Sequence, residues 1–137
     1  MSGIKLWQDK EKSIINPVLF SEEAEKLARA IGQEGKDARG NLNKGTQLRR
    51  FFDEIVHLRD QSRGIDNTAS ERWGNLLPYV KMMIAKATYA EGRRLVSPNF
   101  VEMLKSGIGQ IETPRDLRIF ADFFEAFMGF YKLHGPN

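Results

Sequence analysis

The chain has 137 residues, a net charge of +3 and a pI near 9.3, with 41% hydrophobic residues and no cysteine. That length gives one domain burying about two thirds of its unfolded surface. The absent cysteine removes disulfides, thiolate metal sites and cysteine nucleophiles together, and fits a reducing cytosol. The N-terminus mixes Lys5, Asp9, Lys10, Glu11 and Lys12 and does not read as a signal peptide, and no apolar run approaches the ~18 residues of a membrane span.

Residues 1–20 lack a clean period and read as a loosely ordered N-terminal arm, whose Ile14, Ile15, Val18, Leu19 and Phe20 could tuck against the body or a partner around Pro17. Ser21, Glu22 and Glu23 then start a helix, a capping hydroxyl followed by acids that suit the positive end of the dipole. It continues through Ala24, Leu27, Ala28 and Ile31 and is expected to stop at Gly32.

Residues 35–50, GKDARGNLNKGTQLRR, carry Lys36, Arg39, Lys44, Arg49 and Arg50 against Asp37, a local +4 that exceeds the +3 of the whole chain. A local patch says more about partners than net charge does. Asn43 or Thr46 is expected to cap a helix over 46–61, with Leu48, Phe51, Phe52, Ile55 and Leu58 as its buried face. Arg49 and Arg50 lie outside that face. Each has an acid four residues on, Asp53 and Glu54, so weak intrahelical pairing competes with phosphate binding. Lys44 and Gln47 add donors beside the helix N-terminus, where anions are favoured.

After the turn-rich 63–68, Ser70 opens a long helix with Trp73, Leu77, Val80, Ile84 and Ala87 on one stripe. Met82, Lys86, Tyr89 and Arg93 recur on a second stripe, mixing cations with flat or soft side chains as a nucleic-acid surface does. Ordinary solvent exposure is the competing reading of that face. Pro78 is expected to kink or restart this helix. Ser97-Pro98 begins the next, through Phe100, Val101, Leu104 and Ile108. Gly107-Ile-Gly109 ends it and lacks the strand and third glycine of a dinucleotide loop.

Thr113-Pro114 caps a last helix running to about His134, with Gly135-Pro136 as the stop. Leu117, Phe120, Phe123, Phe124, Phe127, Met128, Phe130 and Tyr131, with Ile119 beyond, cover more than half its circumference. Such a helix is central to a bundle or meets another subunit, and Ile119 and Phe130 are the candidates for a subunit interface. No strand pattern appears, so the fold reads as all-α: a single compact bundle of about five helices over 21–137.

Catalytic groups are not evident. Only His57 and His134 occur, the carboxylates pair with basic residues at helical spacing, and no HExxH, Walker A, GxSxG or EF-hand pattern is present. The expectation is a non-enzyme with neither cofactor nor metal.

Three segments resemble one family. They are Lys44-Gly-Thr-Gln-Leu-Arg-Arg-Phe-Phe52 with Glu54-Ile55, Lys86-Ala-Thr-Tyr-Ala-Glu-Gly-Arg93, and the aromatic run from Phe120 to Lys132. In this order they are similar to the small subunit of the type III-A CRISPR effector (Csm) complex, from about Lys44 to the end. Ala85 stands where that family often has Pro, and the stretch before Lys44 matches only loosely.

The resemblance implies an antiviral RNA-guided complex in which several copies of a helical bundle stack head to tail beside the subunits that hold the guide. Cleavage of RNA and DNA and cyclic oligoadenylate synthesis would belong to other subunits. The expected partners are guide RNA and target RNA, other copies of this chain, and the backbone and large subunits, in the cytoplasm and away from membranes. Lys44, Gln47, Arg49, Arg50, Lys81, Lys86, Tyr89, Arg93 and Arg94 are the candidate RNA-binding residues, meeting phosphates and 2′-hydroxyls without reading sequence. A protein–protein adaptor whose basic patches meet acidic subunits is the alternative. A free-standing DNA-binding regulator fits less well, because no recognisable helix-turn-helix geometry is present.

Overall fold

A computed structural model describes residues 3–136. Five helices carry the fold: α1 (Ala24–Ala38), α2 (Gly45–Gln61), α3 (Glu71–Gly92), α4 (Pro98–Gly109) and α5 (Pro114–His134). A small antiparallel hairpin, β1 (Trp7–Asp9) and β2 (Ile14–Ile15), precedes them, and a π-helical turn, Leu19–Glu23, leads into α1.

The described part of the N-terminal arm, residues 3–20, is seated on the bundle. Ile4, Leu6, Trp7 and Leu19 are buried, while Ile14 and Phe20 keep exposed surface. A two-stranded hairpin cannot satisfy its own outer edge, so α4 does so. Ser106 Oγ accepts from Ile4 N–H (2.9 Å), and Gln110 accepts from Leu6 N–H (2.9 Å) while its amide donates to Ile4 C=O (2.8 Å). These polar anchors sit about a hundred residues away in sequence, beyond any local pattern.

Trp7 makes the deepest of these attachments. Its indole N–H donates to the fully buried carboxylate of Asp116 at 2.8 Å. Asp116 also accepts from the backbone N–H of Glu112 (2.9 Å) and of Thr113 (3.0 Å), and Thr113 Oγ1 accepts from Asp116 N–H in return. This reciprocal capping box starts α5, with Pro114 at its first position. On the other side of the indole, the Arg115 guanidinium lies 5.0 Å from the ring centre. Trp7→Phe keeps an apolar ring but removes the donor to a buried charge, and is expected to cost about 2 kcal/mol. Thermal denaturation of the variant checks this; an unchanged melting temperature would mean that the bond contributes nothing net.

α5 is the central helix and packs against α1, α2 and the π-turn, with a smaller contact to α4. Leu117, Ile119, Phe120, Phe123, Phe124, Phe127 and Tyr131 are all buried, which explains an apolar surface too wide for one neighbour. Phe124 meets Phe52 and Phe127 edge-on, and Phe100 of α4 packs into the same cluster. Ile119, expected at a subunit interface, is therefore corrected to a core residue, 4% exposed. Phe130 is half-buried against the core, whereas Leu133, three residues on, is 75% exposed.

Two helices differ from their expected course. α1 passes through Gly32 to Ala38 and ends on Arg39 in the left-handed region, φ 54°. Gly32 is not a stop; a Cβ there would overlap the His134 carbonyl oxygen and lie 2.8 Å from its carbonyl carbon. The glycine lets the end of α5 lie against α1. α3 is continuous through Pro78, whose missing N–H faces the carbonyl of Gly74, four residues back on the exposed side of the helix. Water can take that carbonyl's free lone pairs, so the helix is not broken.

The segment before α2 turns on Asn43, which is fully buried at φ 57°. Asn43 is not the helix cap, a position that falls to Lys44 without a side-chain bond. Its amide donates to Ile31 C=O (3.0 Å) and Ser97 Oγ (3.1 Å), and its side-chain oxygen accepts from Ser97 N–H (2.8 Å). Its own carbonyl accepts the Tyr131 hydroxyl, and its N–H donates to Leu95 C=O (2.9 Å). Burial, with Glu34 nearby, pushes the Tyr131 phenol well above its usual range, so it stays a donor. One residue thus joins α1, the α3–α4 connection, α4 and α5 at the root of α2.

Candidate nucleic-acid interface

The nine candidate residues divide among four places. Lys44 and Arg49 line a groove between the start of α2 and the end of α5, with Gly45, Thr46 and Phe52 on one wall and Met128, Gly129 and Lys132 on the other. Lys132 is not among the nine. Its only signal in the sequence is that of a cation favoured by the C-terminal dipole of α5, and the helix crossing alone sets it opposite Lys44 and Arg49. Gln47, half-buried, lies in the first turn of α2.

Lys86, Tyr89 and Arg93 form the second group, on the outer face of α3. The Lys86 ammonium is ion-paired to Glu54 of α2. Glu54, the acid four residues beyond Arg50, bridges to α3, so of the two competing readings intrahelical pairing of Arg50 does not form among the described residues. Arg49, Arg50, Arg93 and Arg94 make no ion pair among the described residues. Tyr89 is 67% exposed, and the Arg93 guanidinium lies 5.9 Å from its ring centre.

Lys81 and Arg94 stand apart. Lys81 Nζ donates to Ile108 C=O at 2.8 Å, near the C-terminus of α4, where a cation complements the exposed carbonyls. Partial burial lowers its pKa, opposed by the nearby Glu112 and Asp116. Lys81 therefore supports α4 with one of the three N–H donors of its ammonium. Arg94, at φ 59°, lines a second groove with Gly40, Asn41, Leu42 and Glu91.

Between α2 and α3 runs a further groove, lined by His57, Leu58, Ile65, Leu76, Tyr79 and Met82 among others. Tyr79 is 59% exposed and Met82 43%. Tyr79 is a second residue that sequence reasoning overlooks, although it stands three residues before Met82 and so extends the same stripe toward the N-terminus of α3. Among the described residues no three His, Asp or Glu side chains are grouped to hold a metal ion. Among the same residues, no helix is long and apolar enough to cross a membrane.

Fold and exterior together define a small helical bundle with exposed cations on the adjoining helices α2 and α3, among others. Searches of curated proteins and of solved structures found no match. Compared with known families, residues 20–137 match Csm2 Type III-A, and the chain belongs to that family. It is a small structural subunit of a type III-A CRISPR effector complex. The match starts at Phe20, so it reaches well N-terminal of Lys44, where the motif resemblance began.

Proposed function

We propose that this chain is a non-catalytic subunit that stacks in several copies and contacts the guide–target RNA duplex, or the target strand, through its basic face. The observation that carries the reading is the set of guanidinium groups, Arg49 and Arg50 on α2 and Arg93 on α3, that project into solvent with no acid paired to them among the described residues. Phosphates are the natural counter-charge for such groups, and contacts of this kind position RNA without reading its bases. Head-to-tail stacking is a heterologous contact that extends where a two-fold contact would close. A row of copies then converts weak individual contacts into tight binding. The working compartment is the cytoplasm, and the guide-holding and large subunits are the protein partners.

Arg49→Ala, Arg50→Ala, Lys86→Ala and Arg93→Ala, combined and assembled into the complex, are expected to weaken target-RNA binding roughly tenfold or more. The logarithmic salt slope should become shallower by about 0.7–0.9 for each phosphate that is no longer neutralised. Titration at two salt concentrations measures both. An unchanged affinity with an unchanged slope would overturn RNA contact by this face.

The adaptor reading draws on Leu133, Phe20 and Ile14, apolar side chains that remain exposed on the isolated chain. If the same four substitutions abolish assembly before RNA is added, the basic face serves protein contacts instead.

A further inference from the structure

We propose that the outer face of α3 takes RNA whose bases are unpaired and exposed, by stacking them on Tyr79 and Tyr89, and that it does not take a closed duplex. The inference rests on the RNA reading above and specifies the form of RNA that this face accepts.

The face is one continuous stripe. Arg72, Asn75, Tyr79, Met82, Lys86, Tyr89 and Arg93 follow one another at alternating steps of three and four, from the first turn of α3 to its C-terminal cap. Steps of that kind hold residues on one side of a helix. The core side of α3 is separate, made of Trp73, Val80, Met83, Ala87 and Ala90; on the stripe, Lys86 pairs with Glu54 and Arg72 donates to Gln61 C=O at 3.1 Å, while both tyrosine rings stay open to solvent. Its two rings are 59% and 67% exposed, and Met82 between them is 43% exposed.

Composition selects the ligand. A helix seam meant for another protein helix would carry Leu, Ile or Val at these steps, and none occurs on the stripe. Cations instead alternate with flat or polarizable groups, the combination by which single strands are held, with charge along the backbone and rings under the bases. An A-form duplex offers phosphates and 2′-hydroxyls on its exterior and keeps its base faces stacked inside. Phosphate contact would use Arg72, Lys86 and Arg93, with at most the hydroxyls of the tyrosines, and leave both ring faces idle. Unstacked bases would use all of them. Arg93, lying over the Tyr89 ring, adds a second planar group at that position. The rings are ten residues apart along α3, a rise of about 15 Å, so they serve separate bases and not one.

The test uses the full chain at low ionic strength, with one labelled RNA strand alone and the same strand annealed to its complement. The unmodified protein is expected to bind the single strand more tightly. Tyr79→Ala and Tyr89→Ala should each weaken single-strand binding roughly tenfold, the scale of one stacked base. Duplex binding and the salt slope should stay as they were, and Tyr→Phe at either position should keep the affinity. Both tyrosines are exposed, so alanine leaves the core untouched.

Three results would overturn the proposal, and they differ in what else falls. If Lys86→Ala with Arg93→Ala weakens binding but the tyrosine variants do not, stacking is wrong and RNA contact stands. Equal losses on strand and duplex from the tyrosine variants would make the rings general supports, not base platforms. If the unmodified chain binds neither probe and the tyrosine variants leave target-RNA affinity of the assembled complex unchanged, stacking is wrong; if charge removal at Arg49, Arg50, Lys86 and Arg93 leaves it unchanged as well, the RNA reading falls too and the face belongs to a protein partner.

Discussion

Asn43→Ala is expected to lower the unfolding free energy by about 3–4 kcal/mol, the largest loss from any single side chain outside the apolar core. The substitution removes three side-chain hydrogen bonds in a site without solvent, leaving Ser97 N–H without its partner and Ile31 C=O with only its place in the α1 ladder. Each stranded buried group costs about 1–3 kcal/mol. It also places alanine at φ 57°, a left-handed conformation that asparagine tolerates and alanine resists. For a domain of this size the melting temperature should fall by roughly 10–15 °C. Asn43→Gly removes the same bonds but accepts the backbone, so it should be less damaging than alanine by about 1 kcal/mol. Chemical denaturation of the two variants separates the contributions. An alanine variant within about 1 kcal/mol of the parent would show that water or a shifted Ser97 replaces the amide.

A functional consequence is attached. Asn43 stands immediately before Lys44 and Gly45 and holds the root of α2 against Ser97 and Tyr131. Lys44 and Arg49 face Lys132 across the α2–α5 groove only while that root is fixed. The stability of the bundle and the placement of its first basic patch therefore depend on the same amide.

Gly32→Ala should destabilise by about 2–3 kcal/mol, although alanine is the better helix former by about 1 kcal/mol. The obstacle is backbone: the added methyl meets the carbonyl of His134 and comes 3.1 Å from Gly135 Cα. No rotamer change can relieve contact with a main chain, so the end of α5 must lift away from α1. Faster amide exchange in the last turn of α5 would report that lift. Gly74→Ala is the matched control. Its Cβ would meet nothing within 4 Å, on the exposed side of α3, and it should stabilise by about 0.5–1 kcal/mol. If Gly32→Ala stabilises equally, the close approach of α5 is not a constraint.

The same glycine marks a limit of the sequence. Gly32 within a helical pattern carries two meanings, a stop or a site of close approach, and local pattern cannot separate them. His134, about a hundred residues away, makes the choice. Pro78 reads as a break for a comparable reason. Loss of one hydrogen bond on a solvent-facing side of α3 is tolerated, and the side that faces solvent is a tertiary property. Residues 3–20 show no period because Ile4, Leu6 and Trp7 are anchored by individual bonds to Ser106, Gln110 and Asp116. Individual bonds leave no repeat to detect.

What the sequence determined by itself is the set of five helices and much of their burial. α2, α4 and α5 start and stop within a residue or so of their predicted bounds, because the 3.6-residue period, Ser97-Pro98, Thr113-Pro114 and Gly135-Pro136 are local signals. The family too was legible, from three motifs in order. The tertiary structure decided which charges are available. Lys81 and Lys86 look alike in sequence, yet one ends on the carbonyl of Ile108 and the other on Glu54, while Arg49, Arg50 and Arg93 reach solvent unpaired among the described residues. It likewise buried Ile119, left Leu133 in water, and set Lys132 across from Lys44. A cation's availability depends on what lies within a few ångströms, and in a bundle those neighbours come from other helices.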